Sequence, residues 1–363
     1  MDFSLSEAQH DLAALARRIA GDAVERDPAR ELGGFDPGLW RTMAEAGLLD
    51  AALPASVGGG GFGLLERCTV AIEVGRAAAP VPYPTSIAGV AATIADLGSG
   101  QHVERWLLPM VRGRRTMTAV LADEGSVTGL TAARSGSGWR LSGGQTAVLD
   151  GAYAGGYLCE ASTPDGDALF LVEEDSTGVT VSEQQAVDGA GAALVEFDEV
   201  VASDDALLGS PGDGSAGLLR QRLTVALCAH QFGVLERALE MTAEYANKRE
   251  QFDSPIGSFQ AVRQRLADAY LDVEAVRLTL WQAAWRLSAG LSAGAEVATA
   301  KFWAAQAGHR VAHTAVHVHG GVGIDLDYPL HRYFVAAKRN EFALGGATAQ
   351  LRALGTLLAE EPA

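Results

Sequence analysis

Apolar positions along the chain change their spacing twice. Up to about residue 115 they recur at helical spacing, and from about 116 to 208 they form short runs separated by Gly, Asp, Ser and Pro. Long helical stripes then resume, and the clearest covers Gln260–Leu287. The pattern predicts a mainly α chain with a central β domain: an N-terminal helical domain (1–115), a β sandwich or barrel (116–208) and a C-terminal helical bundle (209–363).

Capping residues and turn residues place the ends of the helices. Ser4 or Ser6 is predicted to cap the first helix, whose apolar residues follow helical spacing from Leu12 onward. The four glycines within Val57–Gly61 predict a turn between helices, because neither a GK[ST] nor a GxGxxG pattern accompanies them. The other predicted helices are Pro37–Gly47, Leu64–Arg76, Ser86–Leu97, His102–Val111, Gln260–Leu287, Ser292–His319 and Leu330–Leu358.

The stretch Tyr245–Gln260 lies between two helical stripes and predicts a corner, with Ser258 as the N-cap of the second helix. Arg249 and Phe252 lie about one turn apart within it. A guanidinium beside an aromatic ring suits a phosphate joined to a flat ring system, since arginine binds phosphate oxygens with two donors and rings stack. The alternative from spacing alone is a helix-capping arginine and a core phenylalanine.

Charge and composition exclude several classes of partner. The chain has 363 residues, a net charge of -17 and no basic run, which argues against nucleic acids and anionic membrane surfaces as partners. It does not argue against a small anion in a local basic pocket. No stretch of about 18 apolar residues occurs and the N-terminus is polar, so neither a membrane span nor a secretory signal is expected.

The three cysteines, Cys68, Cys159 and Cys228, are far apart and form no CxxC pair. Free thiols in a reducing compartment are the simplest interpretation of such spacing. The expected location is therefore the cytoplasm.

The domain order and the corner YANKREQFDSPIGSFQ together resemble the acyl-CoA dehydrogenase family over nearly the whole chain. The R-x-x-F pattern of the corner is present as Arg249 and Phe252, and the glutamine that follows it is Gln260. The family's glycine-rich motif near the C-terminus is matched by His317-Val-His-Gly320-Gly321-Val-Gly323, followed by Tyr328-Pro329, and its N-terminal "P..yGG.G" text by Leu53–Gly59.

The resemblance implies a helical domain, a β domain and a four-helix bundle, with FAD between the β domain and the bundle of one subunit. In the family the adenosine–pyrophosphate half of FAD reaches a neighbouring subunit. Carried over by match, Arg249 pairs with the pyrophosphate and Phe252 packs on the cofactor. Gln260, Gly320 and Gly321 complete the rim, and His317 replaces the family's glutamine while still offering a donor.

The family's reaction removes an α-proton and a β-hydride from an acyl thioester, so one carboxylate must act as base. At the two positions where the family places that glutamate, this chain has Leu344 and Leu223, and the arginine that helps to hold CoA is also missing. No catalytic residue is therefore predicted. Glu341, three residues before Leu344, is the alternative as a displaced base, and Arg220 or Arg222 is an alternative CoA ligand.

The β region departs from the family pattern in the same direction. In place of the family's T-E-P-x-x-G-S motif, this chain has a shorter loop at Ala122–Ser126. In place of the family's K-x-W-I-[ST] motif, it has Gln145–Leu149. Ala147 replaces the motif's aromatic residue, and Leu149 replaces its serine or threonine. A leucine side chain cannot donate a hydrogen bond to a flavin. The substrate side of the site is thus predicted to be lost, while the side that faces a neighbour is kept.

This division is similar to that of heteromeric acyl-CoA dehydrogenases that act on steroid side chains, in which one subunit carries the base and the other completes the FAD site. The chain is predicted to be the non-catalytic subunit of an α2β2 assembly. The acyl-CoA then binds through the homologous catalytic partner, and the resemblance implies an electron-transferring flavoprotein as electron acceptor.

Three alternatives stay open at this point. The first is a self-sufficient homo-oligomeric dehydrogenase with Glu341 as base, and the second is a structural paralogue that binds no FAD. The third is a metal site on the helix that carries His309, His313 and His317. The outer two of these lie roughly 12 Å apart by the helical rise, so all three cannot bind one ion and a metal site would need outside ligands.

Overall fold

The computed structural model describes residues 6–26, 34–122 and 129–360. The helix–β–helix order predicted from the sequence is confirmed. Ser6 caps the first helix by a reciprocal pair of bonds: its N–H donates to Gln9 Oε1 (2.8 Å), and the Gln9 N–H donates to Ser6 Oγ (3.3 Å). The alternative cap, Ser4, and the predicted loop residues Asp123–Ser126 lie outside the described residues.

The N-terminal helices follow the predicted positions with one change of geometry. Tyr83–Ala91 and Val103–Leu107 are π-helical, and the first of these segments is buried along its whole length. The α-helices are α1 Glu7–Arg26, α2 Pro37–Glu45, α3 Leu64–Arg76, α4 Ala92–Leu97, α5 Gly100–His102 and α6 Leu108–Val111.

The central β domain is one hydrogen-bonded sheet in the order β6-β7-β3-β2-β4-β5-β8, with β1 parallel to β4. Its inward side chains form an apolar core around Trp139 and Phe170, whose rings meet edge to face at 5.3 Å. The strands are β1 Thr118–Val120, β2 Leu130–Ser135, β3 Gly138–Val148, β4 Gly156–Thr163, β5 Gly166–Glu173, β6 Val179–Glu183, β7 Ala193–Ser203 and β8 Leu207–Leu208.

The C-terminal helices are α7 Ser215–Lys248, α8 Gln260–Ser288, α9 Gly294–His319, α10 Leu330–Phe342 and α11 Ala347–Glu360. The prediction of one helix over Leu330–Leu358 is wrong. Ala343 leaves the helix with extended backbone, and Leu344 (φ +54°) and Gly345 (φ +89°) are left-handed, so the chain breaks between α10 and α11.

The described residues belong to two compact units. The bundle unit draws on Met1–Leu32, Cys68–Ala79 and Leu227–Ala363, and the sheet unit on Gly33–Arg67 and Pro80–Ala226. In the described ranges, no helix has the length and hydropathy needed to cross a bilayer.

A buried polar network joins three helices of the bundle unit. Asn340 Nδ2 of α10 donates to His230 Nδ1 (2.8 Å) and to Gln231 Oε1 (2.9 Å) of α7. Gln231 Nε2 donates in turn to the carbonyl oxygens of Ala304 and Ala337, both at 3.2 Å. The Lys301 ammonium of α9, 1% exposed, donates to the carbonyls of Asn340 (3.0 Å) and Glu341 at the end of α10. These bonds compensate the cost of burying polar groups and fix the helices relative to one another.

We predict that this network makes the stability of the chain fall in acid. Burial, reinforced by the charge of Arg339, lowers the pKa of His230 to about 3 from its ordinary value of 6.5. Below pH 6.5 the unfolded chain therefore binds a proton that the native chain does not, and native stability falls by about 1.4 kcal/mol per pH unit until the native pKa is reached. Urea unfolding between pH 7.5 and pH 5 measures this slope.

The control for the acid experiment is a substitution at an exposed histidine. His230→Gln should lose this part of the slope, and His10→Gln should keep it, because His10 lies on the exposed face of α1. An identical slope in the native protein and in His230→Gln would contradict the assignment.

Candidate functional site

The predicted corner folds into a short hairpin at one end of the bundle unit. Glu250–Gln251 (β9) pairs antiparallel with Ser254–Pro255 (β10), and the two residues between them, Phe252 (φ +54°) and Asp253 (φ +58°), are both left-handed. This is the two-residue turn that favours glycine and asparagine. A phenylalanine in that conformation costs of order 1 kcal/mol or more.

The start of α8 corrects one sequence prediction. Ser258 does not cap the helix: it ends the 3₁₀ turn Ile256–Ser258, and Phe259 precedes the first helical residue without a side-chain cap. The helix nevertheless begins at Gln260, as predicted.

The side chains of the corner point away from the core. Phe252 is 90% exposed, and its ring meets that of Phe259 edge to face at 6.3 Å between centroids. Arg249 is exposed, and its guanidinium has no hydrogen bond or ion pair with any residue that the structure describes. The alternatives of a core phenylalanine and a capping arginine are therefore wrong. A strained, exposed ring beside an unpaired guanidinium is available to bind a ligand.

The glycine-rich motif ends α9 with a backbone that requires glycine. Gly320 has φ +64° and ψ −139°, a region that is essentially restricted to glycine. A Cβ on Gly321 would meet no described atom within 4 Å, so packing within the chain does not explain the absence of a side chain there. Close approach of a ligand to the bare backbone would explain it.

A stacked pair of rings brings the motif and the corner together. The Tyr245 ring at the end of α7 stacks on His319 at 4.3 Å, and the Arg249 N–H donates to the Tyr245 carbonyl (2.8 Å). Burial lowers the pKa of His319, which keeps the ring neutral at pH 7. Its Nδ1–H donates to the Ala315 carbonyl (2.8 Å), so Nε2 accepts from the Tyr328 hydroxyl (3.2 Å).

Gln260 and His317 are both exposed near this end of the bundle unit, and His317 lines an open cavity of about 850 Å³ between α8 and α9. Arg265 lines the same cavity, and its side chain has no partner within the described ranges. Arg310 is occupied by Asp272, with Nε–Oδ2 at 2.7 Å. Arg265 is not among the candidate site residues predicted from the sequence. Its only signal in the sequence is that it lies five residues after Gln260.

Two domain models of one enzyme family match most of the chain. The acyl-CoA dehydrogenase N-terminal domain matches residues 6–114 and the C-terminal domain matches residues 215–357. Acyl-CoA dehydrogenase FadE27 of Mycobacterium tuberculosis is 47% identical over 375 aligned residues, with 100% of both chains covered.

Two solved structures are similar over nearly the whole chain. A chain of the ChsE4–ChsE5 complex from Mycobacterium tuberculosis superposes with a TM-score of 0.95 at 47% identity, and 100% of both chains is covered. A chain of the Tcur3481–Tcur3483 steroid ACAD superposes with a TM-score of 0.92 at 39% identity, covering 98% of this chain and 99% of that one.

The chain belongs to the acyl-CoA dehydrogenase family. The enzymes of this family are oxidoreductases that act on the CH–CH bond of acyl-CoA thioesters. The resemblance seen in the sequence is confirmed. The two positions at which the resemblance places a glutamate base, Leu223 and Leu344, stay a prediction.

One of these positions is filled by packed hydrocarbon. Leu223 of α7 is 3% exposed, and its side chain lies against Gly89 in the π-helical segment Tyr83–Ala91. A Cβ placed on Gly89 would come within 2.2 Å of Leu223 Cδ2. A carboxylate at position 223 would be buried in the same apolar contact at high cost.

The other position lies in the break between α10 and α11. Leu344 adopts φ +54° there, and the carboxylate of the neighbouring Glu341 is held by Lys338, with Nζ–Oε2 at 2.5 Å. His309 Nδ1 is 3.6 Å from the other oxygen of Glu341. The alternative base is therefore already engaged in an ion pair on its own helix.

The two alternative CoA ligands are also engaged. Arg220 pairs with Glu160 (2.5 Å) and donates to the Ala122 carbonyl, and Arg222 pairs with Asp96. In β3, Ala147 is left-handed (φ +53°), and its N–H donates to Gln184 Oε1 at 2.8 Å. The Leu149 carbonyl accepts from Thr118 Oγ1 at 2.7 Å.

The histidine face of α9 offers no ready metal site. The rings of His309 and His313 lie 4.5 Å apart, and His313 meets Phe334 edge to face. Over the described stretches, no group of three or more His, Cys, Asp and Glu side chains is placed to hold a metal ion.

We predict a strong energetic coupling between Gly89 and Leu223. Leu223→Ala should destabilise the chain by about 2–5 kcal/mol through the cavity it leaves, and Gly89→Ala by about 1–3 kcal/mol through overpacking. In the double variant the new methyl group enters the space that Leu223 vacates, so its loss should be clearly smaller than the sum. Denaturant unfolding of the four proteins measures this coupling, and strictly additive losses would contradict the contact.

Proposed function

We propose that this chain is the non-catalytic subunit of a heteromeric, FAD-dependent acyl-CoA dehydrogenase, and that it completes the FAD site of its catalytic partner. The observation that carries the proposal is the contrast between the two parts of the family's site. The corner and the glycine-rich motif present unpaired, strained and exposed groups, whereas the base position at Leu223 is closed by packed hydrocarbon.

The exposed groups fit the adenosine–pyrophosphate half of FAD. A guanidinium with no internal partner suits the pyrophosphate, an exposed ring suits a flat ring system, and the bare backbone at Gly321 allows close approach. When bound, FAD supplies the acceptor for the hydride that leaves the acyl group. The α-proton is taken by the partner, because both family base positions of this chain are leucines.

In this proposal Arg249 binds the pyrophosphate and Phe252 packs against the cofactor. Gln260, His317, Gly320 and Gly321 form the rim. The neutral His319, stacked on Tyr245, acts as a positioning residue that holds the corner against the motif. Arg265 extends the same surface by one further cation.

The similarity to chains of the ChsE4–ChsE5 complex and of a steroid ACAD supports a homologous catalytic partner. We extend this to an α2β2 assembly in the cytoplasm that takes a steroid-type acyl-CoA and passes electrons to an electron-transferring flavoprotein. The domain limits 1–115, 116–208 and 209–363 stay a prediction.

Co-purification with the catalytic partner tests the proposal directly. The complex should carry FAD and dehydrogenate an acyl-CoA, while the chain alone should have neither stoichiometric FAD nor activity. Arg249→Ala in this chain should weaken the affinity of the complex for FAD by about tenfold or more, the effect of losing one charge-assisted contact. Ultraviolet–visible absorbance after dialysis measures FAD occupancy independently of turnover.

The matched control is Arg18→Ala, which removes an equally exposed arginine from α1. It should leave the FAD content unchanged. Full FAD occupancy and activity in the lone chain would overturn the proposal, as would an Arg249→Ala complex that retains FAD as tightly as the native complex.

One alternative is a displaced base at Glu341, and a single substitution tests it. Glu341→Gln removes the charge but keeps the size of the side chain. We expect the kcat of the complex to stay unchanged, because the Glu341 carboxylate is held by Lys338 and takes no proton from substrate. Loss of turnover with FAD still bound would instead assign the base to this chain.

A further inference from the structure

The sheet unit contains a second open cavity, of about 1180 Å³, which none of the corner residues line. Its walls come from α2, from the turn that follows α6 and from the segment around Tyr153. This volume is somewhat above the range of about 300–1,000 Å³ that is usual for small-molecule sites.

Three arginines without partners line this cavity. The side chains of Arg41, Arg112 and Arg114 are exposed, and none of them makes a hydrogen bond or ion pair with the part of the chain that the structure describes. Their neighbour Arg115 shows the contrast. It is held by Glu173 and by the Gly155 carbonyl, and it lies over the Trp106 ring at 4.6 Å.

A tight turn places these arginines in one location. Gly113 is left-handed (φ +67°), and the turn is closed by bonds from Gly113 N–H to the Met110 carbonyl and from Arg114 N–H to the Pro109 carbonyl, both 2.9 Å. A Cβ on Gly113 would lie 3.3 Å from Arg41 Cα, so the turn is seated directly on α2. The backbone therefore sets where the three arginines lie.

The acidic residues around the cavity do not form ion pairs with its three arginines. Glu45, Asp50 and Glu174 also line it, but none forms an ion pair with Arg41, Arg112 or Arg114. Burial raises the pKa of Asp50. Three guanidinium groups that line one cavity and have no partner among the described residues favour an external anion.

Part of the wall is aromatic. The rings of Phe35 and Tyr153 lie 6.3 Å apart at an interplanar angle of 29°, and the Trp40 ring meets Phe35 at 6.3 Å and 70°. All three residues line the cavity. Aromatic faces beside a cationic edge suit a ligand that combines a flat ring with more than one anionic group.

We propose that this cavity binds a nucleotide-class ligand, whose phosphates contact Arg41, Arg112 and Arg114 and whose ring packs against the aromatic wall. Free nucleoside diphosphates and the nucleotide portion of coenzyme A both combine a flat ring with phosphate groups. A concave site with rings favours such a small molecule over an acidic protein segment, which needs only a charged surface. The proposal does not depend on the FAD role of the corner, because its residues belong to the sheet unit.

Isothermal titration calorimetry of the purified full-length chain tests the site with four probes: ADP, coenzyme A, pyrophosphate and adenosine. We expect saturable binding of ADP or coenzyme A, and the stronger of the two identifies the source of the nucleotide. Pyrophosphate and adenosine should each bind at least about tenfold more weakly, since each lacks one of the two recognised parts.

Variants separate this site from other cations. Arg112→Ala/Arg114→Ala should weaken nucleotide binding by about tenfold or more, while the matched double variant Arg18→Ala/Arg352→Ala, which removes the same charge from the bundle unit, should not. A loss of affinity in Arg249→Ala that Arg112→Ala/Arg114→Ala does not show would assign the ligand to the corner and overturn the proposal. Circular dichroism checks that each variant is folded.

Two further results would overturn the proposal. One is the absence of saturable binding for both nucleotides. The other is undiminished binding in Arg112→Ala/Arg114→Ala. If neither nucleotide binds but the same double variant loses association with the catalytic subunit, the arginines dock an acidic protein surface, and the nucleotide assignment is wrong.

Discussion

The bundle unit depends on the burial of one ammonium group. Lys301 is 1% exposed, and such a charge is tolerated only where strong acceptors surround it. The acceptors are the carbonyls of Asn340 and Glu341, the groups that the end of α10 leaves without helical partners. The same turn carries Asn340, which donates to His230 and Gln231. α7, α9 and α10 are thus fixed together, and the corner and the glycine-rich motif extend from the ends of α7 and α9.

On this rigid support the corner contains features that reduce stability. Phe252 combines a left-handed backbone with an exposed ring, and the Arg249 guanidinium forms no hydrogen bond or ion pair in the described structure. Strain and exposure of this kind persist where a ligand contact compensates for them. The contact at Leu223 and Gly89 shows the opposite tendency, because it gains stability from apolar packing. The same chain therefore contains an exposed, strained corner and a tightly packed contact at position 223.

The sequence was sufficient wherever local periodicity decides the structure. The helix from Gln260 ends within one residue of the prediction, and the order of helical, β and helical regions is correct. The sequence did not predict the end of α10 at Ala343–Gly346, because the apolar spacing continues through it. In the structure the helix breaks there, and Lys301 binds carbonyls at the end of α10. The sequence prediction also failed at Ser258, because the preceding hairpin, rather than a hydroxyl, ends the corner.

By itself, the sequence determined the family and the order of helical, β and helical regions, since these follow from residue type and order. Only the tertiary structure decided which side chains are free. Nothing in the sequence distinguishes Glu341, Arg220 and Arg222 from unpaired charged residues. In the structure each of them has an ion-pair partner, and the partners of the two arginines are distant in the chain. Arg41 and Arg112, far apart in the chain, line one cavity because Gly113 packs on α2, and neither has a partner in the described ranges. Pairing depends on distance in space, which residue order does not record.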